Sequence, residues 1–351
     1  MKKFLYIVLC PFILLTACGK KQAVIDRPAF SADSAYAYIQ GQMAFGPRVP
    51  NSKSHNDCAV WLIQQLRANG AVVELQRGQM PDYKGDMQQI YNIIAHFSTP
   101  EIASRPRILL GAHYDCRPWC DEEEDYNDRH YNVPGANDGA SGVGVLLEVA
   151  RQLGLRMSNS ESGLSGEADL SAERSVSPKG GLSTPVDIVF FDCEDMGTPH
   201  FYTGQEREDT WCLGSQLWAT NYAKEITNQK SQITNAQYQY GIVLDMVGAP
   251  DASFPREFYS TQYASNYQQQ IWRAAEKLGY GSMFINQQSY PITDDHFYVN
   301  RLAGIPCVDI IHYDMRNATG FPWWWHTRND NIDNISKSTL QAVGEVVMSQ
   351  L

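Results

Sequence analysis

The sequence predicts an α/β three-layer sandwich, with a mixed, mostly parallel central β-sheet flanked by helices. Three observations carry that expectation. Short apolar runs alternate with segments of helical spacing through most of the chain. Two β-rich runs stand side by side near the start, where a parallel crossover has no room. Acids and imidazoles follow directly after the apolar runs. Alternation of this kind builds a parallel sheet covered by its own crossover helices.

The elements follow in order. Residues 31–43 and 55–69 have helical spacing, with Gly46-Pro47 as a break between them. Residues 71–75 and 89–97 read as strands joined by a polar turn near 81–85, and adjacent strands of this type pair antiparallel at a sheet edge. Apolar runs at 107–112, 186–191, 242–244 and 306–311 suit buried strands, and helical segments at 141–153, 213–224, 263–278 and 337–351 alternate with them. Residues 158–183 are rich in Ser, Gly and Glu and read as a flexible surface insertion. No composition break divides residues 31–351, which predicts a single domain.

Composition narrows the function. The chain is 43% hydrophobic and 19% charged, with 13 Phe, 19 Tyr and 8 Trp, enough for a sizeable core. A net charge of -11 without a basic run beyond the first residues argues against a nucleic-acid partner, since phosphate binding needs a basic face. Lys2 and Lys3 precede an apolar run from Phe4 to Leu15, too short to span a bilayer and ordered like a secretory signal. Leu15-Thr16-Ala17-Cys18 resembles a bacterial lipobox. The expectation is therefore a lipoprotein signal over residues 1–18, a tether over 19–30, and an exported protein. It would be periplasmic and lipid-anchored to the outer membrane of a Gram-negative bacterium, with no other membrane association. Six cysteines remain beyond Cys10 and Cys18, none in a Cys-x-x-Cys pair, so a cysteine zinc site is not expected. Export permits disulfides, and the pairing of Cys116 and Cys120 stays open.

In open α/β sheets, ligands bind beyond the carboxyl ends of the strands. His113 and Asp115 follow the first buried run, Asp192, Glu194 and Asp195 the second, and Asp245 the third. His326 follows the last run beyond a loop, and Asp138 lies in the Gly-rich segment 134–142. Carboxylates and imidazoles without a thiolate suit a catalytic zinc, where three protein ligands leave one position open.

Five motifs occur here in the order found in the zinc-dependent M28 aminopeptidases and their relatives. They are His113-Tyr-Asp115, Asn137-Asp138-Gly-Ala-Ser-Gly142, Phe190-Phe-Asp-Cys-Glu194-Asp195, Leu244-Asp245 and Trp325-His326-Thr327. The segments Asp294-Asp295-His296, Phe321-Pro322 and Asp330-Asn331 make the chain resemble the animal-type glutaminyl cyclases and their bacterial members. The resemblance implies a zinc aminopeptidase-like fold and one zinc ion held by Asp138, Asp195 and His326. It implies Glu194 as acid/base and a hydrogen-bonded acidic pair of Asp245 and Asp294. Trp325, Asp309 and His113 fall on the substrate side. The implied reaction converts the N-terminal glutamine of peptides and exported proteins to pyroglutamate with release of ammonia, by a monomeric enzyme.

Three departures from the animal pattern stand out. Asp195 is one methylene shorter than the usual glutamate, so backbone must carry its carboxylate closer to the metal. Asp309 stands where the animal enzymes have a histidine. The loop after Asp195 is longer, and its His200, Phe201, Tyr202 and Trp211 all compete to complete the pocket. The alternative reading is a di-zinc aminopeptidase, in which His113 and Asp245 complete a second site sharing Asp138.

Overall fold

The computed structural model describes residues 25–162, 181–205, 207–228, 238–317 and 319–351. Residues 1–24, which contain the expected leader and most of the tether, lie outside the described residues, as does most of the expected insertion at 158–183. The end of the tether is docked: Arg27 donates to Tyr280, Glu345 and the carbonyl of Leu278.

Eight strands are described: β1 (Val72–Pro81), β2 (Met87–Phe97), β3 (Arg107–His113), β4 (Val186–Phe191), β5 (Tyr238–Asp245), β6 (Phe254–Arg256), β7 (Phe284–Gln288) and β8 (Cys307–Ile311). The helices are α1 (Ala32–Met43), α2 (Lys53–Ala68), α3 (Ala140–Ser162), α4 (Leu213–Asn228), α5 (Phe258–Lys277), α6 (Asp295–Tyr298) and α7 (Lys337–Met348). The main sheet runs β1-β2-β4-β3-β5-β8; β1, β2 and β4 pair antiparallel, and β4, β3, β5 and β8 are parallel. The mixed sheet with an antiparallel edge is the arrangement the sequence predicts.

Period-2 alternation splits the strands between two cores. Ile108, Leu110 and Ala112 of β3, Ile188 and Phe190 of β4, and Ile242 and Leu244 of β5 join the core beneath α1, α3, α5 and α7. Leu109, Val189, Phe191 and Val243 face the smaller core with Trp218 of α4 and Val299. Gly111 belongs to that second face, where an added Cβ would lie 2.8 Å from the Phe191 ring and 3.2 Å from Val243.

Three differences from the sequence reading have local causes. Helix α3 continues to Ser162, because Ser and Glu at its end do not break a helix already packed on its apolar face. Helix α5 starts at Phe258 rather than near 263; Ala264 leaves helical geometry, so periodicity is continuous only beyond that kink. The β6–β7 pair and α6 are too short for periodicity to reveal.

At the end of the sheet opposite the strand ends that matter below, four strands meet on one carboxylate. Asp187 (β4) accepts from Arg107 (β3) at 2.7 and 2.9 Å and from the Tyr238 hydroxyl (β5) at 2.7 Å, with His96 (β2) at 2.9 Å. Burial pushes its pKa up, but His96 and Arg107 outweigh that and hold it below the usual carboxylate value. Asp187→Asn is expected to lower unfolding free energy by about 3 kcal/mol at neutral pH. The charge-dependent part of that stability is present above the unfolded pKa near 4 and disappears as pH falls through the lower folded value. Denaturant titrations of both proteins from pH 7 to pH 3 check this; a stability gap that does not narrow in acid excludes the charge as its source.

Candidate active site

The strand order reverses at β3: the chain moves from β3 to β4 on one side, then to β5 on the other. A crevice forms at such a switch point, beyond the carboxyl ends. There His113 ends β3, Asp245 ends β5, and Glu194 and Asp195 follow β4. Asp138 enters from the loop that opens α3. Gly139 in that loop has φ +99°, and a Cβ on it would lie 2.3 Å from the Asp115 carbonyl oxygen, so only glycine lets the loop approach β3 this closely.

Asp138, Asp195 and His326 converge so that one ligand atom from each lies within 4.8 Å of the others, all three side chains being buried. His326 Nε2 is 3.2 Å from Asp195 Oδ1 and 3.6 Å from Asp138 Oδ2. Asp195 Oδ2 is buried and has no hydrogen-bond partner. A buried carboxylate oxygen left without a donor, beside a second carboxylate and an imidazole, fits a divalent cation, and an oxygen and nitrogen donor set fits zinc. Burial disfavours the charged form of His326, but Asp195 and Asp121 outweigh it and push the imidazole up to about 9. Metal uptake at neutral pH must therefore displace a proton.

A second set shares Asp138. His113 Nε2 lies 3.1 Å from Asp138 Oδ1 and 3.2 Å from Asp245 Oδ1, and these three also bring ligand atoms within 4.8 Å of one another.

Supporting residues explain how the shorter Asp195 reaches His326. The carboxylate of Asp115 accepts from the backbone N–H of Glu194 at 3.1 Å and of Asp195 at 3.2 Å. Cys193 just before them has φ 52°, a left-handed turn that redirects the chain. Arg117, fully buried, donates to both oxygens of Asp121 at 2.7 and 2.6 Å and to the carbonyl and carboxylate of Asp195. Asp121 in turn lies 3.5 Å from Nδ1 of His326. Asp330 accepts from the backbone of Asn137 and Asp138 at 2.7 and 3.1 Å, fixing the Asp138 loop. Among the described residues, Cys193, Cys212, Met246 and His326 are four of the six non-glycine residues with positive φ, so backbone strain concentrates here.

The open side is a cavity of about 490 Å³, lined by Asp138, Glu194, Asp195, Asp245, Asp294 and His326 on its floor. Trp211, Tyr290, Ile292, Ile311, Tyr313, Phe321 and Trp325 add its apolar walls. Trp211 is the loop aromatic that completes the wall, stacked on His326 with the rings 9° from parallel. Phe201 and Tyr202 instead pack with Trp119 and Tyr83. The three tryptophans before His326 divide by exposure: Trp323 is 65% exposed, Trp324 is 2% exposed in the core, and Trp325 faces the cavity.

Burial, reinforced by the charges of Asp195, Asp294 and Asp295, raises Glu194 well above the usual carboxyl range against the opposing charge of His113. Burial likewise pushes Asp245 up to about 7, against the His113 hydrogen bond. Asp245 and Asp294 both line the cavity, but the structure records no hydrogen bond between them. His113 and Asp309 are not among the lining residues. His113 is held beneath the floor by Asp138 and Asp245, and Asp309 lies behind Asp294, 3.2 Å from Nδ1 of His296. Both therefore stand one layer back from the residues that line the cavity. The six cysteines from Cys58 to Cys307 are buried and unpaired, so Cys116 and Cys120 form no disulfide.

Comparison with known proteins narrows the reading. The profile of peptidase family M28 matches residues 92–351. The chain is 25% identical over 307 residues to aminopeptidase YwaD of Bacillus subtilis, covering 86% of this chain and 52% of that protein, about half its length. It is 24% identical over 312 residues to the glutaminyl-peptide cyclotransferase of Bos taurus, covering 86% of this chain and 76% of that protein. The crystal structure of Tannerella forsythia glutaminyl cyclase matches with a TM-score of 0.77 and 43% identity, covering 92% of this chain and 98% of that one.

Sequence reading did not find Arg117, Asp121 or Asp330 as supports, since each acts on a partner far along the chain. Asp121→Asn is expected to weaken divalent-metal binding about 10- to 100-fold, the usual effect of removing a carboxylate that orients a ligating histidine. Competition with a chelator of known affinity measures it; unchanged affinity would remove Asp121 from the metal centre.

Proposed function

Because the chain belongs to peptidase family M28, we propose that it works within that family as a glutaminyl-peptide cyclotransferase, with one zinc ion held by Asp138, Asp195 and His326. The observation that carries this is a single cavity in which that trio, Glu194 and the Trp211–Trp325 walls meet, in a chain that matches a glutaminyl cyclase almost end to end.

Zinc bound there supplies Lewis-acid polarisation of the substrate's side-chain carboxamide. The α-amine of an N-terminal glutamine attacks its own Cδ and forms the five-membered lactam as the Cδ–N bond to the amide nitrogen breaks. Glu194 takes a proton from the attacking amine and delivers it to the leaving nitrogen, which departs as ammonia. A carboxyl group raised by burial is suited to both halves of that transfer. Asp245 and Asp294 face the same space and present acceptors to the amine and amide N–H groups. Trp211, Trp325 and Phe321 exclude water, which the reaction does not consume and which would otherwise compete as nucleophile.

The substrates in this reading are peptides and exported proteins that expose an N-terminal glutamine. The leader read over residues 1–18 supports export and a lipid anchor at Cys18, and in this reading the protein acts as a monomer.

One observation favours a second reading. His113, Asp138 and Asp245 form another set of three potential ligands beside the first, as a di-zinc aminopeptidase requires.

A peptide beginning with glutamine should release ammonia and keep all its residues, chelator should stop the reaction, and purified protein should carry one zinc per chain. Free glutamine with two zinc ions per chain would establish the aminopeptidase instead. Glu194→Gln is expected to lower kcat by at least about 100-fold while zinc stays bound; undiminished turnover removes Glu194 from the mechanism.

A further inference from the structure

The carboxylate of Glu194 has a single hydrogen-bond donor among the described residues: the thiol of Cys212, whose Sγ lies 3.1 Å from Oε1. The same residue also holds the Glu194 backbone, its N–H donating to the Glu194 carbonyl at 2.8 Å. Leu213 repeats the pattern one step on, donating to the Cys193 carbonyl at 3.0 Å. Cys212 therefore grips Glu194 at both ends, main chain and carboxylate, and it does so from a left-handed backbone with φ 57°. Non-glycine residues adopt that conformation at a cost, and retain it where the surroundings over-determine it.

The surroundings here are strong and independent of the sulfur. The Cys212 carbonyl accepts from the N–H of Gln216 at 3.0 Å and the hydroxyl of Ser215 at 3.1 Å, so it serves as the first acceptor of α4. One residue earlier, Trp211 is presented to the cavity wall. The turn thus delivers an aromatic to the front of the site and a thiol to the back of the base. The thiol is fully buried and outside the cavity lining, so it meets no substrate. Burial, with Glu194, Asp295 and Asp294 nearby, keeps it protonated, in the form that donates.

We propose that Cys212 is a positioning residue for Glu194: its S–H fixes one carboxylate oxygen and leaves the other, which has no donor among the described residues, directed to the reacting proton. This rests on Glu194 acting as the base, as in the reading above. It does not depend on whether the base serves cyclisation or hydrolysis. A carboxylate free to rotate about its last two bonds spends less time in the productive orientation, so the loss falls on the chemical step. Substrate binding is unaffected, because the thiol does not touch the cavity.

The test compares Cys212→Ala and Cys212→Ser with the full-length, zinc-loaded enzyme, recording both ammonia release and free amino-acid release from a Gln-initiated peptide. Whichever product the parent enzyme forms, kcat should fall about tenfold in Cys212→Ala, as for a lost hydrogen bond to a charged group, with KM within about twofold. Cys212→Ser, which restores a donor, should recover most of kcat. Full kcat in the alanine variant overturns the proposal. So does an equal loss in both variants, which marks a packing role, or an effect confined to KM.

A second measurement needs no turnover. The Raman S–H stretch missing from Cys212→Ser identifies the Cys212 band, which should lie at lower frequency than those of the other buried thiols. In Glu194→Ala it should shift upward. A band that ignores Glu194→Ala overturns the proposal even if the substituted proteins are inactive.

Discussion

The constraint on which this structure turns is the concentration of negative charge at one buried rim. Asp115, Asp138, Glu194, Asp195, Asp245, Asp294 and Asp330 lie within the same region of the fold, each at most 9% exposed. Among the described residues, His113, His326, His296, Arg117 and Arg48 are the basic groups set against them. Removing ionised carboxylates from water is expensive unless each is paired or protonated. The protein uses three remedies together. Asp115 and Asp330 are spread over backbone N–H groups, Glu194 and Asp245 are pushed toward their neutral forms, and Asp195 is paired with Arg117 and His326. What remains is the gap among Asp138, Asp195 and His326, where a cation balances charge that the chain leaves uncompensated.

Much of this was legible in the sequence because the fold rule is local. Polar residues directly after buried apolar runs must sit at strand ends, and the parallel strands place those ends together. Glu194, Asp195 and Asp245 needed no more than that, and Asp138 was read from the Gly-rich segment that opens α3. Asp294 and Trp325 came from resemblance, since neither follows a strand directly. What could not be read is support across long separations: Arg117 reaches Asp195 78 residues away, and Asp330 reaches Asp138 192 residues away. Trp211 could not be told from its loop neighbours, because its selection depends on a left-handed turn at Cys212 that no side-chain pattern announces. The short β6–β7 pair and α6 lie below the length at which periodicity carries information.

The substitution of a shorter acid at 195 shows how backbone absorbs a lost methylene. Asp115 grips two consecutive amides, Cys193 adopts a left-handed turn, and Arg117 holds both the carbonyl and the carboxylate of Asp195. Together these fix the main chain where a more extended side chain would have tolerated looseness. The shorter acid thus sits on a loop held at both its backbone and its side chain. Glu194, on the same loop, inherits that restraint at its backbone but not at its carboxylate, which is why the thiol behind it matters.

Asp309 extends the same logic one layer deeper. With Asp309 at this strand position, His296 lies between two carboxylates: Glu257 at 2.9 Å from Nε2 and Asp309 at 3.2 Å from Nδ1. Burial opposes the charged imidazole, but Asp309 and Glu257 outweigh it, so His296 is held as a cation. Glu257 is held below its usual pKa despite burial, first by His296 and then by the N–H groups of Ser260 and Tyr259 at the start of α5. Asp309 has no such donors and is driven well above the carboxyl range by burial and by Asp294. Burial and Asp294 thus push Asp309 toward its neutral form, while Asp309 and Glu257 raise His296. Asp294, on the floor of the cavity, lies 3.7 Å from Nδ1 of that histidine, so the basic side of the cluster is turned toward it.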